Sequence, residues 1–352
     1  MVRWKRAGLA IALTAILTLV LSACGDKEKG SGETAKADAP ATAQTETAAG
    51  SSDPAPSGDK VKVQIAINST INPLTIARAK GLYEEAFSKL NAEVEWSKFP
   101  SGPPLLEALV AGRVDLSFLG DGAAIAGISN KLPFEVIGLS SEGKKTSSIL
   151  VPQDSKIQTL ADLKGKSIGL AKGTVANVYL IKVLPEAGLT IKDVNIINLQ
   201  PDDAQAAFES GKLDAWVAWD PYVTQNITTG KARKIEVNTP VLSPGSLIAS
   251  TAFAKKHPEL VVEYLKVYKQ AVDFQLANEE EAASIFAEQT KLPVDTIKQI
   301  LGNTTPIVKP YTQTALDAMQ ASSDILYENK YIKNKFTFKD AVNDTFVTEA
   351  LK

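Results

Sequence analysis

The chain has only one cysteine and one histidine in 352 residues. A single cysteine excludes any disulfide within the chain. With one residue of each kind, Cys24 and His257, the sequence holds neither a Cys–His nucleophile pair nor a histidine-rich metal cluster. His257 stands directly before Pro258 at a predicted helix start, which is typical of a surface capping position. We therefore expect no catalytic activity, no metal and no cofactor.

Basic runs and long apolar runs are also scarce. The formal net charge is −2, and no basic run follows Arg6, which argues against a nucleic-acid-binding protein. The one long apolar run, from Leu9 to Leu21, is shorter than the roughly 20 residues that cross a bilayer comfortably. No later segment is apolar enough to span a membrane.

The N-terminus has the pattern of an export signal. Arg3, Lys5 and Arg6 precede the apolar run, which ends in Leu21-Ser22-Ala23-Cys24. This tetrad resembles the bacterial lipobox, in which cleavage precedes the cysteine and the thiol receives a diacylglyceryl group. We expect residues 1–23 to be the signal and Cys24 to be the lipidated N-terminus, anchored at a membrane without crossing it. The alternative is an ordinary secretory signal with a chance cysteine.

Residues 24–60 differ in composition from the rest of the chain. They consist mainly of Gly, Ser, Ala, Thr, Asp and Pro, with almost no large apolar side chain, so they cannot bury enough surface to fold. We expect a tether with a reach of roughly 30 to 36 Å. From Val61 onward the composition is that of a globular protein, and its length suits two lobes.

Short strands alternate with single helices over the first two thirds of the globular part. This alternation predicts an α/β fold with parallel sheets. The predicted strands are 61–67, 94–96, 114–119, 167–171, 194–199 and 215–217. The predicted helices after them are 73–90, 103–111, 122–129, 174–187, 201–210 and 221–229. After about Ala252 the pattern is almost entirely helical.

Several predicted helices begin with a capping residue followed by proline. The pairs are Asn72-Pro73, Gly102-Pro103 and Asp220-Pro221, and proline in the first turn fixes a helix start. These junctions lie at the carboxyl ends of strands, where backbone N–H groups and the positive ends of helix dipoles converge. In open α/β sheets ligands bind along this edge. The pattern therefore favours an anionic ligand.

A set of segments resembles the periplasmic binding proteins of sulfonate, taurine and nitrate importers. The similarity runs from about Val61 to His257 and continues more weakly after it. Trp96-Ser97-Lys98-Phe99-Pro100-Ser101-Gly102 followed by Trp219-Asp220-Pro221 is most similar to the aliphatic-sulfonate binders. The other matching segments are Ala79 to Tyr83, Ala111 to Asp115, Ala161 to Lys166 and Ala206 to Trp216.

The resemblance implies a type II periplasmic-binding-protein fold, with two α/β lobes, a two-stranded hinge and a ligand cleft between the lobes. Residues 61–148 would be the first segment of lobe 1, 149–245 lobe 2, and 246–352 the return to lobe 1 with the C-terminal helices. The implied function is that of an extracytoplasmic, monomeric solute-binding component of an ABC importer. It would capture a small organic anion, an aliphatic sulfonate, and deliver it to a permease and its ATPase.

The strand ends and the resemblance together nominate the ligand-binding residues. Thr174, which opens a helix in lobe 2, is the strongest candidate for anion contact. The full set is Ser69, Thr70, Asn72, Ser101, Gly102, Asp121, Ser141, Thr174, Asn177, Trp219, Asp220 and Gly245.

Simpler roles stay open for several of these residues. Asn72, Asp121 and Asp220 are also suited to cap helices, and Trp219 to pack in a core. Asp121 stands where the sulfonate-binder pattern more often has Glu. A carboxylate there would repel a bare sulfonate and would bind an amino or hydroxyl group on the ligand.

Other functions of the same fold also stay open. Nitrate binding predicts a smaller cleft without room for an alkyl chain, and binding of a thiamine-type pyrimidine precursor predicts aromatic contacts. A sensory lipoprotein would share the binding chemistry and differ only in its partner. A desulfinase would need a cysteine nucleophile in the folded part, and the sequence has none there.

Overall fold

The computed structural model describes residues 59–143 and 147–352, and it shows two lobes built on two five-stranded sheets. The α/β fold predicted from the alternating pattern is thereby confirmed. The predicted signal, the lipidation site Cys24 and nearly all of the predicted tether lie outside the described residues. The division into signal, tether and lobes therefore stays a prediction at its N-terminal boundaries.

Lobe 1 begins with three strand–helix units and ends with the strand that leads into the hinge. Its elements are β1 (Val61–Asn68), α1 (Pro73–Ala79), α2 (Leu82–Ser88), β2 (Ala92–Phe99), α3 (Gly102–Val110), β3 (Leu116–Leu119), α4 (Asp121–Ser129) and β4 (Phe134–Ser141). The single helix predicted over 73–90 is two helices, because Gly81 adopts a left-handed conformation with φ +63°.

Lobe 2 repeats the strand–helix pattern on the second sheet. Its elements are β5 (Ser147–Pro152), β6 (Ser167–Leu170), α5 (Val175–Val183), β7 (Asn195–Asn198), α6 (Pro201–Glu209), β8 (Ala215–Trp219), α7 (Tyr222–Thr228) and β9 (Ala232–Lys234). Short 3-10 turns cover Leu160–Leu163, Leu184–Ala187 and Ile191–Asp193. The helix predicted over 174–187 ends at Val183 and continues as a 3-10 turn, in which Pro185 has no N–H to donate.

The chain then returns to lobe 1 and ends in helices. These elements are β10 (Gly245–Ser250), α8 (Thr251–Lys256), α9 (Pro258–Ala277), α10 (Glu279–Thr290), α11 (Val294–Leu301), α12 (Gln313–Glu328), a 3-10 turn (Phe338–Ala341) and α13 (Thr345–Ala350). Among the described residues, no helix is both long enough and apolar enough to span a bilayer.

Both sheets are mixed. The strand orders are β2-β1-β3-β10-β4 and β7-β6-β8-β5-β9. Within the first sheet β10 runs antiparallel to both neighbours, and within the second β5 does the same. The expectation of parallel sheets is wrong for these two strands. Each is the first strand after a hinge crossing, so the chain enters its sheet from the opposite end.

Two chain crossings join the lobes. The first connects Ser141 at the end of β4 to Ser147, and the second connects Lys234 at the end of β9 to Gly245. The crossings touch where Ser243 N donates a hydrogen bond to Gly143 O at 3.0 Å. Gly143 has φ +72°, and a Cβ there would lie 1.9 Å from Ser243 O. Only glycine permits this approach, which holds the two crossings side by side.

The hydrophobic core of lobe 1 extends into lobe 2. Around α3, α4 and α12 it includes Leu105, Ala124 and Met319, together with Val178 and Ile181 from α5. Helix α5 thus packs on lobe 1 along one side, while its Ala176 and Leu180 lie in the core of lobe 2. This shared helix places the amino end of α5 directly opposite those of α3 and α4.

Candidate ligand-binding site

A cavity of about 180 Å³ lies between the two lobes, and we call it the cleft. It sits where β1, β2, β3 and β8 end and the helices after them begin. Lobe 1 contributes Asn68, Thr70, Ile71, Asn72, Pro73, Pro100, Ser101, Gly102, Phe118, Leu119, Gly120, Ala123, Ser140 and Ser141. Lobe 2 and the second crossing contribute Thr174, Val175, Trp219, Asp220 and Ser243, and the returning segment contributes Gly245, Tyr268, Gln275, Ile300, Leu301, Thr304 and Pro306.

Three helix amino ends without a side-chain cap meet at the cleft. The N-cap residues of α3, α4 and α5 are Ser101, Gly120 and Thr174, and none of them forms a side-chain hydrogen bond to its helix. All three line the cleft. Peptide dipoles give a helix amino end a partial positive charge, and the N–H groups of the first turn have no acceptor within the helix. In α3, residues 103 and 104 are prolines and have no N–H, and in α4 the Gly122 N–H already donates to Asp121 Oδ1. This arrangement suits an anion.

No lysine, arginine or histidine is among the residues that line the cleft in the described part of the chain. The ionisable lining side chains are those of Asp220 and Tyr268. Burial raises the pKa of Tyr268, so its hydroxyl is neutral at ordinary pH. An anion held here would therefore rely on backbone N–H groups and neutral polar side chains.

The structure brings most of the predicted ligand residues to one place. Thr70, Asn72, Ser101, Gly102, Ser141, Thr174, Trp219, Asp220 and Gly245 all line the cleft. Ser69, Asp121 and Asn177 are not among its lining residues. Ser69 Oγ turns to the carbonyl oxygen of Phe99, at 3.4 Å. That any of these residues contacts ligand stays a prediction.

Asn72 and Thr70 form a fixed polar edge on lobe 1. Asn72 Oδ1 accepts a hydrogen bond from Leu74 N at 2.9 Å, and its Nδ2 donates to the Tyr268 hydroxyl at 3.2 Å. Thr70 Oγ1 donates to Asn68 Oδ1 at 2.8 Å. Asn72 is therefore the N-cap of α1, which is one of the two roles that the sequence left open for it. The edge is held rigid by residues that are already paired with each other.

The hydroxyl of Thr174 is not free to donate a hydrogen bond to the anion, although the sequence makes this residue the strongest candidate for anion contact. Its Oγ1 donates a hydrogen bond to Ala171 O at 2.6 Å, so the proton is committed to a backbone carbonyl. The residue still lines the cleft and opens α5. What Thr174 offers an anion is therefore the amino end of its helix, and its side chain fixes the turn that presents it.

Ser101 and Asp220 connect the lobes across the cleft. Ser101 Oγ donates to Gln200 Oε1 at 2.8 Å, and Asn303 Nδ2 donates to Asp220 Oδ2 at 3.0 Å. The other carboxylate oxygen of Asp220 accepts from Thr224 N at 2.9 Å and from Thr224 Oγ1 at 2.7 Å. Asp220 therefore caps the first turn of α7 while it bridges to the segment after α11.

Trp219 forms part of the wall. The side chain is 7% exposed and belongs to the hydrophobic core of lobe 2. It also lines the cleft, so the residue has both of the roles that the sequence left open. Its Nε1 is buried and has no hydrogen-bond partner among the described residues. A buried N–H without an acceptor is uncommon.

Asp121 is fully buried and stands behind the cleft. The helix cap is Gly120, and Asp121 is the first residue of α4, so its expected capping position is wrong by one residue. Its Oδ1 accepts from Gly122 N at 2.7 Å, and Oδ2 has no partner in the described chain. Burial raises the pKa of Asp121 to about 6, against the opposing effects of Lys182, Gly122 and Ser243.

Residues of the C-terminal helices complete the cleft lining. The sequence does not predict these residues as part of the site. Tyr268 and Gln275 come from α9, and Ile300 and Leu301 from the end of α11. Gln275 Oε1 is buried without a partner among the described residues. No strand-end or capping signal marks these positions, because they lie within helices whose docking depends on distant parts of the chain.

Family comparison agrees with this architecture. The family described as NMT1/THI5 like matches residues 68–282, more than half of the chain. The chain belongs to this family. A protein of Bacillus subtilis (strain 168) that carries the name of an aliphatic sulfonates-binding protein is 39% identical over 294 residues, 83% of this chain and 88% of that protein.

Two solved structures are similar along the whole folded part. The alkanesulfonate-binding protein SsuA from Xanthomonas axonopodis pv. citri, bound to MOPS, has a TM-score of 0.76 at 28% identity and covers 82% of this chain and 99% of that one. The periplasmic aliphatic sulphonate binding protein SsuA from Escherichia coli has a TM-score of 0.70 at 26% identity, with the same coverage. This protein therefore has a periplasmic-binding-protein fold, with two lobes and a cleft between them.

Within residues 59–143 and 147–352, no group of three or more His, Cys, Asp or Glu side chains is arranged to hold a metal ion. His257 lies between α8 and α9, where its Nδ1 is 3.5 Å from Glu259 Oε1, away from the cleft.

Proposed function

We propose that the protein is the solute-binding component of an ABC importer and that its ligand is an aliphatic sulfonate. The observation that carries the proposal is the convergence of three helix amino ends on a cavity without cationic side chains in its described lining. A sulfonate group has one negative charge and three acceptor oxygens in a tetrahedral array. The amino ends of α3, α4 and α5 all reach the cleft, so their unpaired backbone N–H groups would donate to these oxygens.

The energy of such a site is sufficient without a lysine or arginine. Hydrogen bonds to a charged group contribute about 1.5–3 kcal/mol each. Four or five of them would offset desolvation and still reach micromolar affinity, about 8 kcal/mol. The Trp219 N–H is a further donor that lacks a partner within the described chain.

The rest of the cleft suits a short carbon chain. Ile71, Phe118, Ile300 and Leu301 line it together with the ring of Trp219. Its volume of about 180 Å³ lies below the range of about 300–1,000 Å³ that drug-sized ligands occupy. The names of the relatives, which refer to aliphatic sulfonates and alkanesulfonate, support the same ligand class.

The proposal includes a location and partners. The protein would act outside the cytoplasm, attached through lipidated Cys24, as a monomer that passes its ligand to a permease and ATPase. The periplasmic assignment in the name of the Escherichia coli relative supports the extracytoplasmic location. The relatives are named for binding, which supports a function without catalysis.

Calorimetry and thermal shift on the purified protein test the ligand. The panel is methanesulfonate, ethanesulfonate, taurine, sulfate, nitrate and a thiamine-type aminopyrimidine. A ligand at 100 times its Kd raises the free energy of unfolding by about 2.7 kcal/mol. We expect stabilisation by ethanesulfonate and little by sulfate or nitrate, because the apolar wall needs a carbon chain.

Each alternative ligand gives a distinct result. Nitrate alone, or the aminopyrimidine alone, would keep the fold and a binding function and overturn the sulfonate assignment. Taurine binding stronger than ethanesulfonate binding would assign a polar partner to the ammonium group, for which Asp220 and Gln275 are the candidates in the cleft lining. No stabilisation by any sulfonate would contradict the proposal.

A further inference from the structure

A second depression lies on the other side of the wall that closes the cleft. It has a volume of about 620 Å³, and we call it the lateral groove. Ala123 lines both spaces, and Gly122 and Gly173 face the groove where α4 meets the loop before α5. A Cβ on Gly173 would lie 3.5 Å from Pro103 Cγ, so the two lobes touch there and separate groove from cleft.

The floor of the lateral groove is apolar. Leu106 and Val110 of α3, Ala126 of α4, Leu132 and Leu326 line it. Val110 is 54% exposed, one of few large apolar side chains on the described surface. The only acidic side chain among the lining residues is Glu107. A volume of this size lies within the range of about 300–1,000 Å³ in which proteins hold small molecules.

One end of the lateral groove is polar and contains an unsatisfied donor. Asn177 lines the groove, is 1% exposed, and its Nδ2 has no hydrogen-bond partner among the described residues. Its Oδ1 accepts from Gly173 N at 3.2 Å, which fixes the amide so that Nδ2 is the free group. Tyr331 lines the same end, and the Asn177 amide opposes the rise that burial causes in the Tyr331 pKa, so the two groups are neighbours.

The polar end opens onto a cluster of lysines. A smaller depression of about 390 Å³ shares Lys172 and Tyr331 with the groove and adds Lys192 and Lys330. All three lysines are exposed, and none forms an ion pair with a described residue. No acidic side chain lines this smaller depression.

We propose that the lateral groove binds a single-chain anionic amphiphile, such as a fatty carboxylate or a long alkyl sulfonate. The head group would accept hydrogen bonds from Asn177 Nδ2 and the Tyr331 hydroxyl beside Lys172, and the hydrocarbon chain would lie along Leu106, Val110 and Ala126. The lysine cluster selects an anionic head by charge complementarity, the Asn177 amide supplies a hydrogen-bond donor, and the apolar floor selects a chain. This site is separate from the cleft and does not depend on the cleft ligand.

Calorimetric titration with decanoate, below its micelle concentration, tests the site on the whole protein. Lys172→Glu reverses the charge at the head, and Val110→Asp places a like charge along the chain. Both residues are exposed, so the fold tolerates either change. We expect Lys172→Glu to lower the affinity about tenfold or more, because a close charge to an ionised group is worth that much. Val110→Asp should lower it by a similar factor, because the chain would then have to desolvate a carboxylate.

Matched variants and ligands complete the test. Lys234→Glu and Leu276→Asp make the same changes at exposed positions elsewhere and should leave decanoate affinity unchanged. Decanol, which lacks the charge, and butanoate, which lacks the chain, should bind at least tenfold more weakly. Saturating ethanesulfonate should not displace decanoate. Displacement by ethanesulfonate, equal losses in the control variants, or binding only to phospholipid vesicles would overturn the proposal.

Discussion

Asp121 carries a carboxyl group whose charged form is disfavoured by its surroundings. Burial raises its pKa from 3.8 to about 6. Between these pH values the folded protein binds a proton that the unfolded chain has released, so stability falls as pH rises through this window. Above pH 6 both states are ionised, and the full cost, about 3 kcal/mol for roughly two pKa units, is present. Lys182 nearby, whose pKa burial lowers, keeps this cost from being larger.

Replacing Asp121 by asparagine should remove this pH dependence. We expect the free energy of unfolding of Asp121→Asn, relative to the original protein, to rise by about 2–3 kcal/mol between pH 4 and pH 8. Denaturant unfolding at several pH values measures it. Asp340→Asn, at an exposed carboxyl of the same lobe, serves as the control and should show no comparable trend. A flat difference for Asp121→Asn would mean that the carboxyl titrates normally.

Gly102 is required by a close approach between two helices. A Cβ on this residue would lie 2.4 Å from Ala123 Cβ, and both residues line the cleft. Gly102→Ala should therefore push α3 from α4, lower the free energy of unfolding by about 1–3 kcal/mol and weaken sulfonate binding. Gly302→Ala is the control, because its Cβ would meet nothing closer than 3.5 Å.

A second substitution distinguishes the clash from a general glycine effect. In Gly102→Ala/Ala123→Gly the space is restored, so ligand affinity should recover although glycine in α4 costs about 1 kcal/mol of helix stability. Calorimetry on the single and double variants gives the comparison. If the double variant binds no better than Gly102→Ala, the clash is not the cause of the lost affinity.

Hydrogen bonds between elements hold the lobes together at the cleft mouth. The Asn303–Asp220 bond links the segment after α11 to the start of α7, and it lies beside Leu301 and Thr304 of the cleft wall. Its loss in Asn303→Ala should favour opening of the lobes. We expect ethanesulfonate to dissociate about fivefold faster, which corresponds to about 1 kcal/mol.

Stopped-flow fluorescence of the tryptophans measures this dissociation rate, since Trp219 lines the cleft. Asn195→Ala, on the exposed edge strand β7, is the control and should dissociate at the original rate. An unchanged rate in Asn303→Ala would show that the bond does not contribute to closure.

The elements of this fold differ in how far the sequence reveals them. Strand–helix junctions are predictable because capping and proline act locally. Asn72 caps α1, and Asp220, one residue before the N-cap Pro221 of α7, accepts from Thr224 N in its first turn. Antiparallel β5 and β10 were not predictable from alternation, since strand direction depends on where the chain crosses the hinge. The same holds for Tyr268 and Gln275, whose contact with the cleft depends on how α9 docks.

Side-chain direction was the least predictable property of the site. The sequence correctly predicts Ser101 and Thr174 at helix starts. Their hydroxyls, however, donate hydrogen bonds to Gln200 Oε1 and Ala171 O and not toward the cleft ligand. Asp121 and Asn177 lie one helix turn or less from cleft residues, yet Asn177 lines the lateral groove and the buried Asp121 lines neither space. A rotation about one bond decides these outcomes, and the sequence pattern does not encode it.

At the scale of the whole molecule, the proposed anchor at Cys24 determines where the protein acts. Cys24→Ser should move the protein from the membrane fraction to the soluble extracytoplasmic fraction, because no acyl chains would hold it. Ligand affinity of the folded part should stay the same. Cell fractionation with labelled palmitate measures both attachment and acylation. Ser31→Ala is the control, and membrane retention of Cys24→Ser would point to an uncleaved signal in place of a lipid anchor.

In the proposed binding mode the cleft would recognise charge with peptide groups, which do not titrate. Surface sites built on lysine or arginine lose affinity as salt rises, because screening acts over about 8 Å at physiological ionic strength. In this protein the helix amino ends face a cavity between the lobes, and no lysine, arginine or histidine lines it among the described residues. Closure of the lobes around a ligand would keep mobile ions out of the site. The affinity for ligand should therefore vary little with the salinity of the medium.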